Sequence, residues 1–226
     1  MANLSRAYLE ARMSLFASFT ALEVHAGTGH DRAEFWDRGA FAVACLADGA
    51  GGMSGAGVAA DRWMAAARAF LDAHGGPPDA AAWCACLAAA DVSLYGDGHS
   101  GETTAVVATI TADAIAGASV GDSGAWLIDG TASAEGAAVI DLTGQQKIRP
   151  LLGSGGARPM PFVARGGRGT LLLASDGLLR YARPDTIAEA LRGADLGSAA
   201  RAAIDRVRLG SGGLQDDVGI VLCRWE

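Results

Sequence analysis

Strands and helices are predicted in groups along this sequence, and the grouping restricts the folds open to the chain. Two helices are predicted in succession at 55–74 and 79–94, and two shorter ones at 184–192 and 198–209. Strands are predicted around them, at 19–26, 41–47, 103–111, 114–120, 124–128, 169–174 and 218–225. Paired helices beside strands joined by short turns are typical of an α+β fold. We expect a central antiparallel β-sandwich flanked by helix pairs, in α-β-β-α layers.

Helical periodicity predicts which side of each long helix is buried. The expected core positions are Val58, Met64, Ala67 and Leu71 in the first helix, and Trp83, Leu87, Ala90 and Leu94 in the second. The segment 144–161 is rich in glycine and proline and is expected to be a loop. No repeat or break in composition divides residues 1–226, so a single domain is expected.

Composition limits the partners of the chain. The formal net charge is -7 and no run of Lys or Arg is present, which argues against binding to nucleic acid. No uncharged apolar run is long enough for a membrane span, so no membrane association is expected. The four cysteines have no disulfide-like spacing and are interpreted as buried, reduced thiols, which favours a cytoplasmic location.

Four aspartates lie beside predicted strand ends: Asp48, Asp122, Asp176 and Asp216. The ends of neighbouring strands bring such carboxylates to one cleft, where they repel each other unless a cation is present. A site made of oxygen ligands suits Mg²⁺ or Mn²⁺ better than Zn²⁺. Taken one at a time, each aspartate is equally explained as an ordinary turn residue.

Five short motifs in order carry a resemblance to a known family. They are Asp48-Gly49-Ala50-Gly51-Gly52, Gly101-Glu102-Thr103-Thr104-Ala105, Val120-Gly121-Asp122-Ser123, Ser175-Asp176-Gly177 and Asp216-Asp217-Val218. Together they resemble the metal-dependent protein phosphatases, the type 2C Ser/Thr family. The resemblance implies a sandwich fold and hydrolysis of phosphoserine or phosphothreonine in proteins, opposite a Ser/Thr kinase. It also implies a water activated by two Mn²⁺ or Mg²⁺ ions, without a covalent intermediate.

Individual roles follow from the same resemblance. Asp48 is expected to bridge two ions, with the Gly49 carbonyl oxygen on one of them. Asp176 and Asp216 are expected to complete the shell of the first ion. Asp122, with Asp176, is expected to hold a third, weaker ion.

The catalytic residues implied are Asp31, which resembles the aspartate that orients the water, together with Asp48 and Asp176. The family's arginine five residues before that aspartate is replaced here by Ala26. Arg32 is the substitute candidate for contact with the substrate phosphate, and Arg38 is the other. Two alternatives therefore stay open: a catalytically weak or inactive regulatory module that binds metal or phosphoprotein, and a dedicated phosphatase of a sigma-factor regulatory switch.

A second glycine-rich segment, Gly153-Ser154-Gly155-Gly156, allows two interpretations. Successive backbone N–H groups in such a segment can cradle a phosphate. No helix is predicted directly after it and no Lys follows, so a mobile loop is the favoured interpretation.

Overall fold

The structure, a computed structural model, describes residues 15–27, 29–50, 55–129, 138–166, 169–192 and 195–225. Its strands are β1 (Phe16–Glu23), β2 (Asp31–Asp37), β3 (Ala42–Asp48), β4 (Ala105–Ile110), β5 (Ala114–Val120), β6 (Gly124–Asp129), β7 (Val139–Asp141), β8 (Met160–Arg165), β9 (Gly169–Ala174) and β10 (Val218–Trp225). Its helices are α1 (Ala56–His74), α2 (Ala80–Asp97), α3 (Asp176–Leu179), α4 (Pro184–Ala190) and α5 (Leu196–Asp205). The single domain over 1–226 includes residues outside these ranges and stays a prediction.

The strands form two antiparallel sheets that face each other. The first sheet has the order β1-β10-β9-β6-β7 and the second has the order β2-β3-β4-β5-β8. Apolar side chains from both sheets form the layer between them, among them Leu46, Ile110, Leu171 and Val221. Strand side chains alternate between two faces, so each sheet has a second apolar face left to cover.

Helices cover those outer faces. α1 and α2 pack on the second sheet, where Trp63 and Trp83 are both 0% exposed. The Trp83 indole N–H donates to Thr109 Oγ1 in β4 at 2.8 Å, so the polar atom of this buried side chain has a hydrogen-bond partner. α4 and α5 pack on the first sheet through residues such as Ile187 and Ile204. The layered α+β sandwich predicted from the sequence is confirmed.

Several details differ from the sequence-based expectation. Val58 is 47% exposed, because the buried side of α1 runs through Ala59, Ala60 and Trp63 instead. The first strand covers Phe16–Glu23 and not 19–26, because it pairs in register with β10 along its whole length, from Trp225 back to Val218. The expected core residues of α2 are buried as predicted.

Three strands and one short helix were missed. β2 and β8 are the edge strands of the second sheet. The sequence of β2 is mixed polar and apolar, and β8 contains Pro161, which an edge strand tolerates because one side of its backbone is unpaired. β7 and α3 have only 3 and 4 residues, too few to show a period. The predicted loop at 144–161 therefore ends where β8 begins.

The four cysteines are free thiols. Cys45, Cys86 and Cys223 are buried, and Cys84 is half-buried. In the described part of the chain, no helix is long and apolar enough to cross a membrane.

Candidate metal centre

Strand pairing brings acidic residues to one end of the sandwich. Asp31 begins β2 and Asp48 ends β3, and the two face each other in the antiparallel register. Asp176 comes two residues after β9, and Asp216 comes two residues before β10. β9 and β10 are antiparallel neighbours, so these two ends coincide. Asp122 follows β5, which runs parallel to β3, at the same end of the second sheet.

Ser175 joins the two sheets at this end. Its hydroxyl donates to Asp31 Oδ2 at 2.7 Å and accepts the Gly219 backbone N–H at 2.8 Å. Gly219 leaves the room that this contact needs, since a Cβ there would lie 3.0 Å from Asp31 Oδ2. Asp31 of the second sheet is thereby fixed to β9 and β10 of the first. Sequence analysis had not assigned Ser175 a role of its own.

The backbone of Asp48 is held by the segment before β4. Its N–H donates to Thr104 Oγ1 at 3.0 Å, and that oxygen lies 2.6 Å from Ser123 Oγ. Its carbonyl accepts the Thr103 hydroxyl at 2.9 Å and the Thr104 N–H at 2.8 Å. These hydrogen bonds fix the backbone of Asp48 and thereby restrict the position of its carboxylate.

Gly49 lies where the chain passes the start of α1. A Cβ at this position would be 2.7 Å from the Ala56 carbonyl and 3.0 Å from the His30 Cβ, so no side chain fits. Its N–H donates to the His30 carbonyl at 3.3 Å. Gly51 and Gly52 of the same motif lie outside the described residues.

Burial and mutual repulsion raise the pKa of the clustered carboxyls. The pKa of Asp48 is raised by burial, then by the charges of Asp31 and Asp176. The pKa of Asp31 is raised by burial, although its hydrogen bond from Ser175 opposes the shift. The pKa of Asp176 is raised by burial and then by the charge of Asp122, while Arg180 acts in the opposite direction. This repulsion follows from the strand pairing and from the contact between Ser175 and Asp31, which bring these carboxyls to one end of the sandwich.

The donor atoms fit a hard divalent cation. Asp31 Oδ1 is buried without a hydrogen-bond partner among the described residues, and the clustered side chains offer only oxygen. Within those same residues, no three His, Cys, Asp or Glu side chains are grouped tightly enough to hold an ion unaided. Mg²⁺-type ions retain several waters and need only one or two carboxylates, so a loose cluster suits them.

Asp217 is a residue whose role the sequence analysis missed. Its carboxylate accepts the His25 N–H at 2.8 Å and the His30 N–H at 2.9 Å, which fixes the segment before Asp31. A Cβ on Gly177 would lie 1.9 Å from the Asp217 carbonyl oxygen, so the start of α3 also packs directly against it. The Asp216-Asp217 pair was the available signal, because two adjacent carboxylates can have different roles and Asp217 is the one that accepts the His25 and His30 N–H groups.

Arg32 is engaged within the chain. Its Nε and Nη2 donate to the Asp61 carboxylate at 2.5 and 3.2 Å. Its Nη1 donates to the carbonyls of Gly29 and Asp31 at 3.1 and 2.8 Å. Arg38, the other candidate, pairs with Asp72. The structure thus gives Arg32 hydrogen bonds within the chain from Nε and from both Nη atoms.

The glycine-rich segment at 153–156 is anchored instead of forming a phosphate cradle. The carboxylate of Asp91, which is 4% exposed, accepts the N–H groups of Gly153, Gly155 and Ala157 at 2.7, 3.1 and 3.0 Å. These amides are occupied, so they offer nothing to a phosphate. The interpretation as a mobile loop overlooked this acceptor.

Comparison with known proteins identifies the fold. No family model matches the sequence, and no curated protein matches it significantly. The serine/threonine phosphatase of Staphylococcus aureus is similar, with a TM-score of 0.75 and 20% identity over 95% of this chain and 96% of that one. The Mycobacterium tuberculosis phosphatase PstP is also similar, with a TM-score of 0.75 and 20% identity over 93% and 99%.

A structure of the catalytic domain of PstP in complex with two manganese ions gives the same TM-score, 0.75, at 20% identity over 92% and 97% of the two chains. The chain therefore has the fold of these bacterial serine/threonine phosphatases, as the resemblance implied.

Proposed function

We propose that this protein is a metal-dependent phosphatase that hydrolyses phosphoserine or phosphothreonine in proteins. The observation that carries the proposal is the acidic cluster itself: Asp31 and Asp48 come from one sheet and Asp176 from the other, and they interact at one end of the sandwich. Bacterial serine/threonine phosphatases with this fold support the same conclusion.

In this proposal Asp48, Asp176, Asp216 and the Gly49 carbonyl hold two Mn²⁺ or Mg²⁺ ions, and Asp122 holds a third, weaker one. The manganese found with the catalytic domain of PstP supports this choice of ion. Such ions, when bound, lower the pKa of water and neutralise charge on phosphoryl oxygens.

The chain's own residues do the positioning. Ser175 holds one oxygen of Asp31, which leaves Asp31 Oδ1 available to orient the attacking water or to accept its proton. Thr103 and Thr104 keep the Asp48 backbone in place during the reaction. Water adds to phosphorus, the bond from phosphorus to the seryl or threonyl oxygen breaks, and the leaving oxygen takes up a proton. The products are phosphate and the free hydroxyl.

The biological setting that we propose is opposition to a Ser/Thr kinase in the cytoplasm. The four free thiols support a reducing location. A dedicated role in a sigma-factor regulatory switch is a narrower form of the same proposal.

The test is hydrolysis of an aryl phosphate and of a phosphopeptide with and without Mn²⁺. We expect turnover that chelation removes and that Asp48→Asn and Asp176→Asn each reduce by at least about 100-fold, the upper end of the loss for residues that only support a metal ligand. Asp113→Asn is the control, since Asp113 is exposed in the turn between β4 and β5, away from the cluster. Turnover that survives chelation or both substitutions contradicts the proposal.

A non-catalytic binding module is the second candidate. It is motivated by Ala26 in place of the family's arginine and by the engagement of Arg32 with Asp61, while the similarity to solved phosphatases does not favour it. Calorimetry distinguishes the two functions: Mn²⁺ binding without turnover on either substrate supports the module.

A further inference from the structure

Arg180 lies at the edge of the acidic cluster, and the central carbon of its guanidinium is 5.9 Å from the centroid of the Tyr181 ring, a contact that leaves its N–H donors free. Its Nη1 is 3.8 Å from Asp176 Oδ2, and its side chain is 70% exposed. Its guanidinium makes no hydrogen bond within the part of the chain that the structure describes. Exposed ion pairs at such distances contribute little stability, so this contact is easily exchanged for a stronger one.

The short helix α3 fixes where Arg180 points. Asp176 is the first residue of α3, and Arg180 directly follows its last residue. The Arg180 N–H donates to the Asp176 carbonyl at 2.9 Å, so the two side chains lie one turn apart on the same side. Gly177 packs against the backbone of Asp217, so α3 lies directly against the residue that precedes β10. Arg180 is therefore presented beside the cluster by a fixed backbone.

Arg32 differs from Arg180 in the use of its donors and in its exposure. Its Nε and both Nη atoms donate within the chain, and its side chain is 29% exposed. Transferring it to a ligand would leave Asp61 without its bidentate partner. A planar guanidinium with free donors is the side chain best suited to bind a phosphate, because it offers two parallel N–H groups.

We propose that Arg180 binds the phosphate group of the substrate, in place of the arginine that is missing at Ala26. This inference rests on the proposed phosphatase function. A divalent cation held by Asp176 would neutralise that carboxylate, and the Arg180 guanidinium would then be free to pair with a bound anion. In the working enzyme that anion is the phosphoryl group or the product phosphate.

The test is steady-state kinetics of Arg180→Ala, Arg180→Gln and Arg180→Lys with Mn²⁺ present, on an aryl phosphate and on a phosphopeptide. We expect Arg180→Ala and Arg180→Gln to raise KM by about tenfold or more on both substrates, the scale of one lost charge-assisted hydrogen bond. Inhibition by inorganic phosphate weakens by a similar factor. We expect a smaller rise in KM for Arg180→Lys than for Arg180→Ala, because lysine retains the positive charge but lacks the two parallel N–H donors of the guanidinium.

Arg183→Ala is the matched control, since Arg183 is an exposed arginine three positions later whose partner is Asp185. Its KM and phosphate inhibition stay at the wild-type values. The inference is overturned if Arg180→Ala leaves KM and phosphate inhibition unchanged, or if its effect is confined to the phosphopeptide, which would indicate a contact with the peptide.

Failure of the proposed function has a different signature. If the wild-type protein shows no turnover, binding of inorganic phosphate to the Mn²⁺-loaded protein is measured by calorimetry instead. Weaker phosphate binding by Arg180→Ala than by Arg183→Ala supports the role of Arg180, and equal binding by the two variants overturns it.

Discussion

Asp31, which is buried, and Asp48, which is half-buried, face each other across β2 and β3, and Asp176 approaches from the other sheet. Three carboxylates in such a place cannot all be ionised without a compensating positive charge. Without a cation the cluster retains protons, and with one it releases them. We therefore expect the stability of the fold to depend on both pH and divalent ions.

Asp31 contributes one part of the pH dependence of stability, because it titrates together with Asp48, whose pKa is raised further by burial and by the charge of Asp31. Burial raises the pKa of Asp31 from 3.8 to about 6, so the folded state binds a proton more tightly than the unfolded chain. Stability from this group is fully present below pH 3.8 and is lost as the pH rises through about 6. We expect the chelated wild-type protein to lose stability relative to Asp31→Asn across this window, measured by urea unfolding at a series of pH values.

Asp31→Asn retains an oxygen that can accept the Ser175 hydroxyl, so it removes the titration and keeps the contact. Asp113→Asn, at an exposed turn, provides the control and should follow the wild-type curve. Parallel stability curves for wild type and Asp31→Asn would show that Asp31 does not titrate in this range.

Among the elements, α2 does more than cover the second sheet. Asp91 on α2 binds three amides of the segment after Leu152, and Leu152 pairs with Thr103 in both directions at 3.0 Å. Thr103 in turn donates to the Asp48 carbonyl. A helix on the outer face is therefore linked to the cluster by a continuous set of hydrogen bonds.

Asp91→Ala tests this link. It leaves three amides without their buried acceptor, and we expect a loss of about 3 kcal/mol in the free energy of unfolding. Faster hydrogen exchange is expected at Gly153, Gly155 and Ala157. Asp79→Ala on the same helix is the comparison: it removes only the cap to the Ala82 N–H and costs about 1 kcal/mol. Equal losses in the free energy of unfolding would show that Asp91 stabilises the protein no more than an ordinary helix cap does.

The elements also show what periodicity can and cannot predict. β5, β9 and β10 were predicted with the bounds that they have, because each is an apolar segment between turn residues. β2 and β8 escaped prediction because an edge strand contacts the core with one face and has only one neighbour, which permits polar residues and proline. Helix faces were predicted well where large side chains define them, and less well in the alanine-rich start of α1.

At the scale of the whole molecule, the candidate site belongs to neither sheet alone. The positions of the aspartates at strand ends were visible in the sequence, since a strand end next to a turn can be recognised locally. The contacts that join the sheets were not: Ser175 meets Asp31 across 144 residues, and Asp217 meets His30 across 187. No local pattern encodes such pairs, which depend on how the two sheets are stacked.

A divalent ion bound between the sheets should therefore stabilise the entire fold. An ion that binds only the folded state adds about 2.7 kcal/mol to the free energy of unfolding at 100 times its Kd. We expect Mn²⁺ to give a stabilisation of this order at pH 7 in wild type and in Asp113→Asn. It should be largely lost in Asp48→Asn and in Asp176→Asn, whose side chains come from different sheets. Thermal unfolding with Mn²⁺ or chelator measures the difference without any substrate. Mn²⁺ stabilisation that persists when either aspartate is removed would place the ion on one sheet only, or elsewhere in the molecule.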